Sequence, residues 1–313
     1  MIFDQTAGTR DAYGKTLVEL GASDPKIVVF TADLAGSTKT NLFAQEYPTR
    51  FYNMGVAEAN MMGTAAGMAM SGLRPFASTF AMFATGKVWE QIRQVIAYPK
   101  VPVRIVATHA GLTVGEDGAS HQMLEDLAIM RVLPNMRIIA PADAAETSAA
   151  IRVAASYDEG PIYVRLSREP FPVIHEDGVA FEFGKAAVER EGTDVTVVAC
   201  GVMVSTAIEA RSRLAAEDIS VEVINASSVK PLDAETIVES ARKTGAVVTA
   251  EEHQISGGLG SAVCELLAEE LPTRVTRVGV DDRFGQSGRA SDLLSHYGLD
   301  ADGLVTGIKQ ILS

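Results

Sequence analysis

The segment from His109 to His121 holds the residue types best suited to chemistry in this chain. Its thirteen residues include two imidazoles, two carboxylates, among them Asp117, and several glycines. Histidine exchanges protons near neutral pH, and aspartate accepts hydrogen bonds from hydroxyl groups. The segment follows the apolar run Val101–Thr108, which predicts a buried strand, and open α/β sheets bind ligands at the carboxyl ends of such strands. The loop therefore predicts a site for a polyhydroxylated or carbonyl substrate.

Glu58 is a second candidate, at the start of an apolar helix. It follows a short strand predicted at Phe51–Asn53, and the helix is predicted over Ala59–Met70. A carboxylate in a first helical turn is favoured by the helix dipole, and Glu58 could be no more than such a surface acid. Its neighbours are small or apolar, so it could instead enter a poorly solvated place and share a proton with a ligand nitrogen. The residues alone leave both interpretations open.

Two phenylalanines lie near the end of the strand predicted at Arg74–Thr79. Phe80 and Phe83 have a spacing that is more typical of a core than of a ligand shelf. Phe83 comes just beyond the strand end, so it is the better candidate for a ring that stacks on a heterocycle.

Three further side chains are candidates for anion binding. Arg10 begins the first helix, Ser37 lies in the loop after the strand Ile27–Thr31, and Arg168 follows the strand Ile162–Leu166. Each alone is more typical of an exposed or ion-paired residue. Because all three project from the same kind of edge, the pattern permits a shared oxyanion site.

These candidates lie on alternating strands and helices. Near-continuous apolar strands separated by helices predict a mostly parallel sheet covered on both faces. The remaining strand of this first unit is predicted at Arg137–Ala140, and its other helices at Arg10–Leu20, Lys87–Ala97, Met123–Val132 and Ala144–Ala155. The stretch Glu169–Gly192 contains prolines and mixed charges and predicts a linker.

A second α/β unit follows the linker. Its strands are predicted at Val195–Cys200, Ser220–Asn225, Gly245–Ala250 and Arg274–Val280, and its helices at Ser205–Glu217, Asp233–Thr244, Leu259–Glu269 and Ala301–Leu312. With about four strands and few titratable clusters, it is interpreted as a structural or dimerising domain.

Composition limits the classes of function. The chain has 313 residues, 47% of them hydrophobic, enough for two domain cores, and its net charge of −13 argues against nonspecific nucleic-acid binding. Cys200 and Cys264 lie far apart, as expected of free thiols in a reducing cytoplasm. The first residues do not resemble a signal peptide, and the apolar stretch at Ala59–Met70 is too short to span a bilayer. We expect a cytoplasmic protein without membrane or nucleic-acid partners.

Two motifs suggest other functions and are set aside. The sequence Gly257-Gly-Leu-Gly260 is similar to a dinucleotide fingerprint but lacks the third glycine and the acidic residue, so it predicts a tight turn from strand to helix. His109 and His121 do not have a standard zinc-ligand spacing, and no metal site is predicted in this chain.

Four motifs in order resemble the C-terminal half of transketolase, which some organisms make as a separate subunit. They are Gly-Val-Ala-Glu ending at Glu58, Ser-Thr-Phe-Ala-Met-Phe ending at Phe83, Gly-Glu-Asp-Gly-Ala-Ser-His-Gln beginning at Gly115, and Ala-Asp-Leu-Ala-Gly-Ser ending at Ser37. The resemblance covers essentially the whole chain. It implies two α/β domains, each a mostly parallel sheet flanked by helices. These are a pyrimidine-binding domain at 1–175 and a transketolase C-terminal domain at 193–313, joined by a linker at 176–192.

The resemblance also implies thiamine diphosphate as cofactor and a role for each candidate. Glu58 would share a proton with the aminopyrimidine, and Phe80 and Phe83 would form the aromatic shelf. His109, His121 and Asp117 would contact the sugar and assist proton transfer, while the thiazolium acts as electron sink. The terminal phosphate would be held by Arg10, Ser37 and Arg168, with His109 nearby. Gly86 is a departure, because many transketolases carry an aromatic residue there.

One family motif is missing from the sequence. Transketolases bind the diphosphate through a metal ion, which a Gly-Asp-Gly motif and a downstream asparagine hold. This chain has no such motif. The resemblance therefore implies half of each site in this chain. A separate N-terminal subunit would hold the Mg²⁺ or Ca²⁺, in an α2β2 assembly with a contact between copies of this chain. Gly63 and Gly67 permit close helix packing that could serve that contact.

Three alternatives remain open at this point. A 1-deoxyxylulose-5-phosphate synthase shares the domain order but is normally one long chain. A 2-oxo acid dehydrogenase β-subunit has a different loop in place of Gly115–Gln122. A non-catalytic regulatory paralogue would not need to retain Glu58 and both loop histidines.

Overall fold

A computed structural model describes residues 3–313 as two α/β units that pack against each other. The first is built on a seven-stranded sheet and the second on a five-stranded sheet. One core cluster contains Ile138 and Tyr163 of the first sheet together with Val198 and Ile224 of the second. The two units therefore share buried apolar surface, whose removal from water stabilises their relative placement.

The strands alternate with helices along most of the chain. The strands are β1 (Thr6–Ala7), β2 (Ile27–Thr31), β3 (Phe51–Asn53), β4 (Arg74–Phe80), β5 (Arg104–Thr108), β6 (Arg137–Ile139), β7 (Ile162–Arg165), β8 (Phe171–Pro172), β9 (Ala187–Arg190), β10 (Val195–Ala199), β11 (Val221–Asn225), β12 (Ser228–Lys230), β13 (Ala246–Gln254) and β14 (Arg274–Val280). The α-helices are α1 (Thr9–Ser23), α2 (Ala35–Thr38), α3 (Asn41–Glu46), α4 (Glu58–Met70), α5 (Trp89–Gln91), α6 (Asp126–Arg131), α7 (Ala144–Ser156), α8 (Met203–Leu214), α9 (Ala234–Thr244), α10 (Leu259–Glu270), α11 (Ala290–His296) and α12 (Ala301–Leu312).

The first sheet has the order β12-β6-β7-β5-β4-β2-β3, and all pairs except β12 with β6 are parallel. Its register aligns the strand ends: Thr31 pairs with Asn53 and Ser78, and Phe80 pairs with Thr108. The loops after β2, β3, β4, β5 and β7 therefore open at one edge of the sheet. This is the edge at which doubly wound sheets bind their ligands, and the predicted fold class is confirmed.

The second sheet has the order β14-β13-β10-β11-β9, with β9 antiparallel to β11. It has five strands rather than about four, because β9 lies within the segment predicted as linker. The short strand β12, from the second unit, crosses to pair with β6 at the edge of the first sheet. The boundaries at 175 and 193 stay predictions.

Several predicted elements differ in extent. The run Val101–Thr108 becomes a strand only from Arg104, because Pro102 cannot donate to a ladder. The helix predicted over Lys87–Ala97 is α5 followed by a π-helical turn at Ile92–Ala97, and another π-helical turn lies at Met82–Gly86. The histidine loop contains an unpredicted 3-10 segment at Leu112–Asp117. None of the helices formed by residues 3–313 has the length and apolar character needed to cross a bilayer.

Candidate active site

Glu58 begins α4 and is almost fully buried. Its exposed fraction is 2%, and its Oε2 lies 2.6 Å from the Nζ of Lys87. The N-cap residue of the helix is Ala57, and no side chain, that of Glu58 included, caps the free amides of the first turn. Since the side chain of Lys87 remains 50% exposed, the cation can leave while the carboxylate stays buried. The structure favours the poorly solvated carboxyl group over the surface acid.

Two phenylalanines and two histidines form a continuous ring cluster beside this pair. Phe80 stacks on His109 with ring centroids 3.8 Å apart, and its centroid is 6.0 Å from that of Phe83. His121 meets both phenylalanines edge to face, at 6.4 Å from Phe80 and 5.6 Å from Phe83. Lys87 Nζ lies 5.8 Å from the Phe83 ring, which connects the cluster to Glu58. Glu58, both phenylalanines and both histidines thus border one region.

The environment of His109 keeps its imidazole neutral. The residue is 3% exposed and has a positive φ of 59°, which turns the chain sharply after β5. Burial, and then the positive charges of Arg10, Arg168 and His121, lower the pKa of His109 to about 3. Its Nδ1 shares a hydrogen bond of 2.8 Å with the hydroxyl of Thr108. A neutral imidazole held in this way can donate or accept one hydrogen bond at a substrate oxygen.

His121 is more accessible than His109. It is half-buried, and its Nδ1 lies 3.0 Å from the hydroxyl of Ser120. Its other ring nitrogen can therefore donate or accept a hydrogen bond at a ligand.

Asp117 and Arg168 face each other across the mouth of the loop. The side chain of Asp117 is 41% exposed, and its Oδ2 lies 3.8 Å from Nη1 of Arg168. Arg168 also donates to the carbonyl of Val114 and lies 3.5 Å from Glu116. In this arrangement Arg168 contacts the histidine loop rather than Ser37.

Arg10 and Ser37 are in direct contact. Nη1 of Arg10 donates to the carbonyl oxygen of Ser37 over 3.0 Å. Its Nε is buried and has no hydrogen-bond partner among residues 3–313, so one donor remains for a ligand. The positive charges of Arg10 and Arg168 both lower the pKa of His109. Ser37 is hydrogen-bonded to Arg10, whereas Arg168 contacts the histidine loop.

The chemistry open to this site follows from these groups. It offers a buried carboxyl group, a half-buried aromatic face, two imidazoles, and two guanidinium groups for an anionic tail. Within residues 3–313 no three His, Cys, Asp or Glu side chains are placed to hold a metal ion.

Several contacting residues were missed from the sequence. The sequence predicts Lys87 only as the start of a helix and Thr108 only as a strand residue. The second unit also contributes: Thr113 N donates to Glu252 Oε1 over 2.6 Å, and Gln122 Nε2 donates to the carbonyl of Gln286 over 3.0 Å. The run Glu251-Glu252-His253 at the end of an apolar strand was the available signal, since three titratable residues there are unusual for a purely structural sheet.

The glycine-rich turn after β13 is a strand-to-helix turn, as predicted. The amides of Leu259 and Gly260, at the start of α10, donate to the carboxylate of Glu251 over 2.7 and 2.8 Å. A dinucleotide phosphate would need these donors. Because Glu251 already takes them, the turn is not a nucleotide site.

Comparison with known families matches both units. The family described as transketolase, pyrimidine binding domain, matches residues 5–173, and transketolase, C-terminal domain, matches residues 184–304.

Individual relatives match over nearly their full length. A protein of Methanocaldococcus jannaschii named as a transketolase C-terminal section is 49% identical over 306 residues, covering 97% of this chain and 96% of the relative. A 6-deoxy-6-sulfo-D-fructose transketolase subunit of a Clostridium species is 41% identical over 302 residues, covering 96% and 94%. A solved split-gene transketolase, described as an inactive beta4 tetramer, superposes with a TM-score of 0.92 at 54% identity, covering 97% of this chain and 98% of that one.

Proposed function

This chain belongs to the transketolase family as the C-terminal subunit of a split enzyme, and on that premise we propose how its residues act. We propose that it supplies the activating glutamate and the sugar-binding residues for transfer of a two-carbon ketol unit between sugars with anionic tails. The observation that carries the proposal is the burial of Glu58 beside the ring cluster of Phe80, Phe83, His109 and His121.

The residues around Glu58 fit the aminopyrimidine of thiamine diphosphate. A buried carboxyl group can hold a proton at a ring nitrogen, and its present cation partner is half exposed and can be displaced. Phe83, half-buried next to that pair, provides a face on which a planar ring can stack. An added Cβ at Gly86 would meet only Met82 and Met123, at 3.5 and 3.7 Å, so this side of the pocket is wider than an aromatic residue would leave it.

The cofactor supplies an electron sink for cleavage of a carbon–carbon bond next to a carbonyl. Glu58 would hold a proton at the aminopyrimidine, and its burial would limit the access of water to that carboxyl group. His109, neutral because of its burial and the nearby arginines, orients a substrate oxygen by hydrogen bonding. His121 exchanges a proton with substrate and solvent, and Asp117 accepts from a sugar hydroxyl.

Arg10, Ser37 and Arg168 hold the anionic tail of the sugar in this proposal. The unpartnered Nε of Arg10, and the positive charges of both arginines that lower the pKa of His109, support an anion there. When the tail binds, Arg168 exchanges its contacts with Glu116 and Asp117 for the tail, which frees Asp117 for a hydroxyl. The Clostridium relative is named for a sulfo-sugar, so the tail can be a phosphate or a sulfonate.

The partner in this proposal is a separate N-terminal subunit. It would carry the diphosphate site and its Mg²⁺ or Ca²⁺, for which this chain's sequence has no motif. The solved split-gene relative, an inactive tetramer of one chain type, supports a subunit that forms contacts between copies and needs another chain for activity. We place the active form as an α2β2 tetramer in the cytoplasm, where the free thiols Cys200 and Cys264 stay reduced.

Reconstitution tests this function directly. The chain is mixed with its N-terminal partner, thiamine diphosphate and Mg²⁺, and ketol transfer is measured from phosphorylated ketoses and from a 6-sulfo ketose. We expect activity only when both subunits are present, and a loss of about 100-fold or more in Glu58→Ala, as for removal of a general acid–base group. Glu146→Gln, which changes another buried carboxylate in a first helical turn, is the control and should lower stability but not turnover.

Three results would contradict the proposal. They are near-normal turnover of Glu58→Ala, ketol transfer by this chain alone, and failure of the mixed subunits to bind thiamine diphosphate. The last would favour a regulatory paralogue.

A further inference from the structure

The second domain extends a buried carboxylate into the base of the histidine loop. Glu252 lies near the end of β13 and is 3% exposed. Its Oε1 accepts the amide of Thr113, 139 residues away in sequence, over 2.6 Å. Thr113 stands in the first turn of the 3-10 segment Leu112–Asp117, so the carboxylate binds the amino end of that segment.

The loop is shaped to receive this carboxylate. Gly111 has a φ of 84°, and a Cβ built on it would lie 2.3 Å from the carboxyl carbon of Glu252. A side chain at that position would therefore collide with the carboxyl group. The backbone of Glu252 is held as well, since its carbonyl accepts from Nη2 of Arg165 over 2.7 Å, while Nε of Arg165 donates to Asp126.

A second contact from the same domain covers the other end of the loop. The segment Gly285–Gly288 lies against it: Gln122 Nε2 donates to the carbonyl of Gln286, and a Cβ on Gly118 would lie 2.5 Å from the hydroxyl of Ser287. Gln122 also donates to the carbonyls of Leu112 and Gly115, each over 3.1 Å. The loop between His109 and His121 is thus held at both ends.

We propose that Glu252 is a positioning residue for sugar binding, because its carboxylate fixes the turn that carries Asp117 and follows His109. The effect on sugar binding rests on the function proposed above, whereas the hydrogen bond between Glu252 and Thr113 lies within this chain. Glu252 touches none of the candidate catalytic side chains by hydrogen bonding and acts through the backbone of the loop. The second domain is then a part of the substrate site, and not only the structural or dimerising unit that its sequence suggested.

Glu251 provides a matched control within the same strand. It is 1% exposed, and its carboxylate also accepts amide donors at a helix start, those of Leu259 and Gly260. Its partners lie in the second domain. Glu251→Ala therefore removes an equally buried carboxylate without releasing the histidine loop.

The experiment measures amide hydrogen exchange in the full chain and steady-state kinetics in the complex with the N-terminal subunit. In Glu252→Ala we expect exchange over residues 111–118 to rise about tenfold or more, as for loss of a hydrogen bond to a charged group. We expect KM for the sugars to rise about tenfold through the misplaced loop, with kcat less affected and the affinity for thiamine diphosphate within about twofold. Glu252→Gln should keep the exchange over residues 111–118 and the KM for the sugars near their wild-type values, because its amide oxygen accepts the same hydrogen bond from Thr113. If Glu252→Ala does not fold, Glu252→Asp, which withdraws the carboxylate from Thr113 but keeps its charge near Arg165, should show the same changes to a smaller degree.

Two results would overturn the inference. One is unchanged exchange over 111–118 in a folded Glu252→Ala or Glu252→Asp variant. The other is equal loosening of this loop by Glu251→Ala, which would indicate general destabilisation. If the wild-type complex shows no ketol transfer, the proposed function fails, and the exchange result still decides whether Glu252 holds the loop.

Discussion

Lys87 Nζ lies 2.6 Å from Glu58 Oε2, so the buried carboxylate proposed to face the cofactor is paired within this chain. Glu58 is 2% exposed, while the Lys87 side chain is 50% exposed and lies over the Phe83 ring. A buried carboxylate without a partner is costly, and a lysine whose ammonium group lies over an aromatic ring supplies the missing charge. Under the proposed function, the cofactor's ring and Lys87 would therefore compete for one carboxyl group.

This competition predicts opposite effects of Lys87→Met on stability and on cofactor affinity. The free chain should lose about 1–3 kcal/mol of unfolding free energy, because Glu58 is left buried without its partner, and urea denaturation measures this. In the complex with the N-terminal subunit, thiamine diphosphate should bind more tightly, as measured by titration calorimetry. Lys15→Met, at an exposed position on α1 without an ion pair among residues 3–313, should change neither quantity. Weaker cofactor binding by Lys87→Met would instead assign Lys87 to the cofactor site.

The neutral state of His109 predicts an acid-dependent loss of stability. Its pKa falls from an ordinary 6.5 to about 3 on folding, so below pH 6.5 the unfolded chain binds a proton that the folded chain does not. The contribution of the neutral imidazole to the free energy of unfolding is complete above pH 6.5 and is lost as the pH falls towards 3. Between pH 7 and pH 5 the free energy of unfolding of the wild type should fall by roughly 2 kcal/mol more than that of His109→Gln. The expected slope is about 1.4 kcal/mol for each pH unit. Parallel urea-unfolding curves for both chains over this interval would contradict the neutral imidazole.

His175 predicts the reverse dependence at alkaline pH. Its Nδ1 lies 3.1 Å from Oδ2 of Asp143, and its Nε2 lies 2.9 Å from Oε1 of Glu189. Burial opposes the charge, but hydrogen bonds to both carboxylates raise the pKa of His175 to about 10. The stability from this contact is complete below pH 6.5 and is lost as the pH rises through about 10.

The measurement for His175 is denaturant unfolding at pH 7 and pH 9. Over this interval the free energy of unfolding of the wild type should fall by roughly 2 kcal/mol more than that of His175→Gln, by the same relation between pKa and free energy. An equal alkaline loss in both chains would show that His175 is not the titrating group.

Arg10 predicts selectivity for the charge of the sugar tail. In the reconstituted complex, Arg10→Ala should raise KM at least about tenfold for a phosphorylated or sulfonated ketose, as for loss of a charge-assisted hydrogen bond. For a ketose with a neutral tail, KM should change little. Arg152→Ala, which removes an exposed arginine paired with Glu19, is the control and should alter neither value. An equal change for charged and neutral sugars would remove Arg10 from the tail site.

Local sequence was sufficient to predict that the loops of the candidate site share one edge of the sheet. Apolar strands, each followed by a polar loop, predicted a parallel sheet, and a parallel sheet brings the loops after Thr31, Asn53, Phe80 and Thr108 to one edge. The start of α4 could be predicted to within one residue, at Ala59 rather than Glu58, because a short strand, a glycine and an apolar helix follow one another there. The interruptions of the helix at Lys87–Ala97 could not, since a π-helical turn leaves the apolar pattern nearly unchanged.

The sequence by itself therefore determined the two α/β units, the edge that carries the candidate site, and the residue types gathered there, because periodicity and short motifs are local properties of the chain. Only the tertiary structure decided the protonation of His109, the pairing of Lys87 with Glu58, and the reach of Glu252 into the histidine loop. Each of these depends on burial or on contact between residues that packing brings together, and for Glu252 and Thr113 the partners are 139 residues apart. No spacing rule within one element encodes such a contact, because it arises only when both domains have folded and docked.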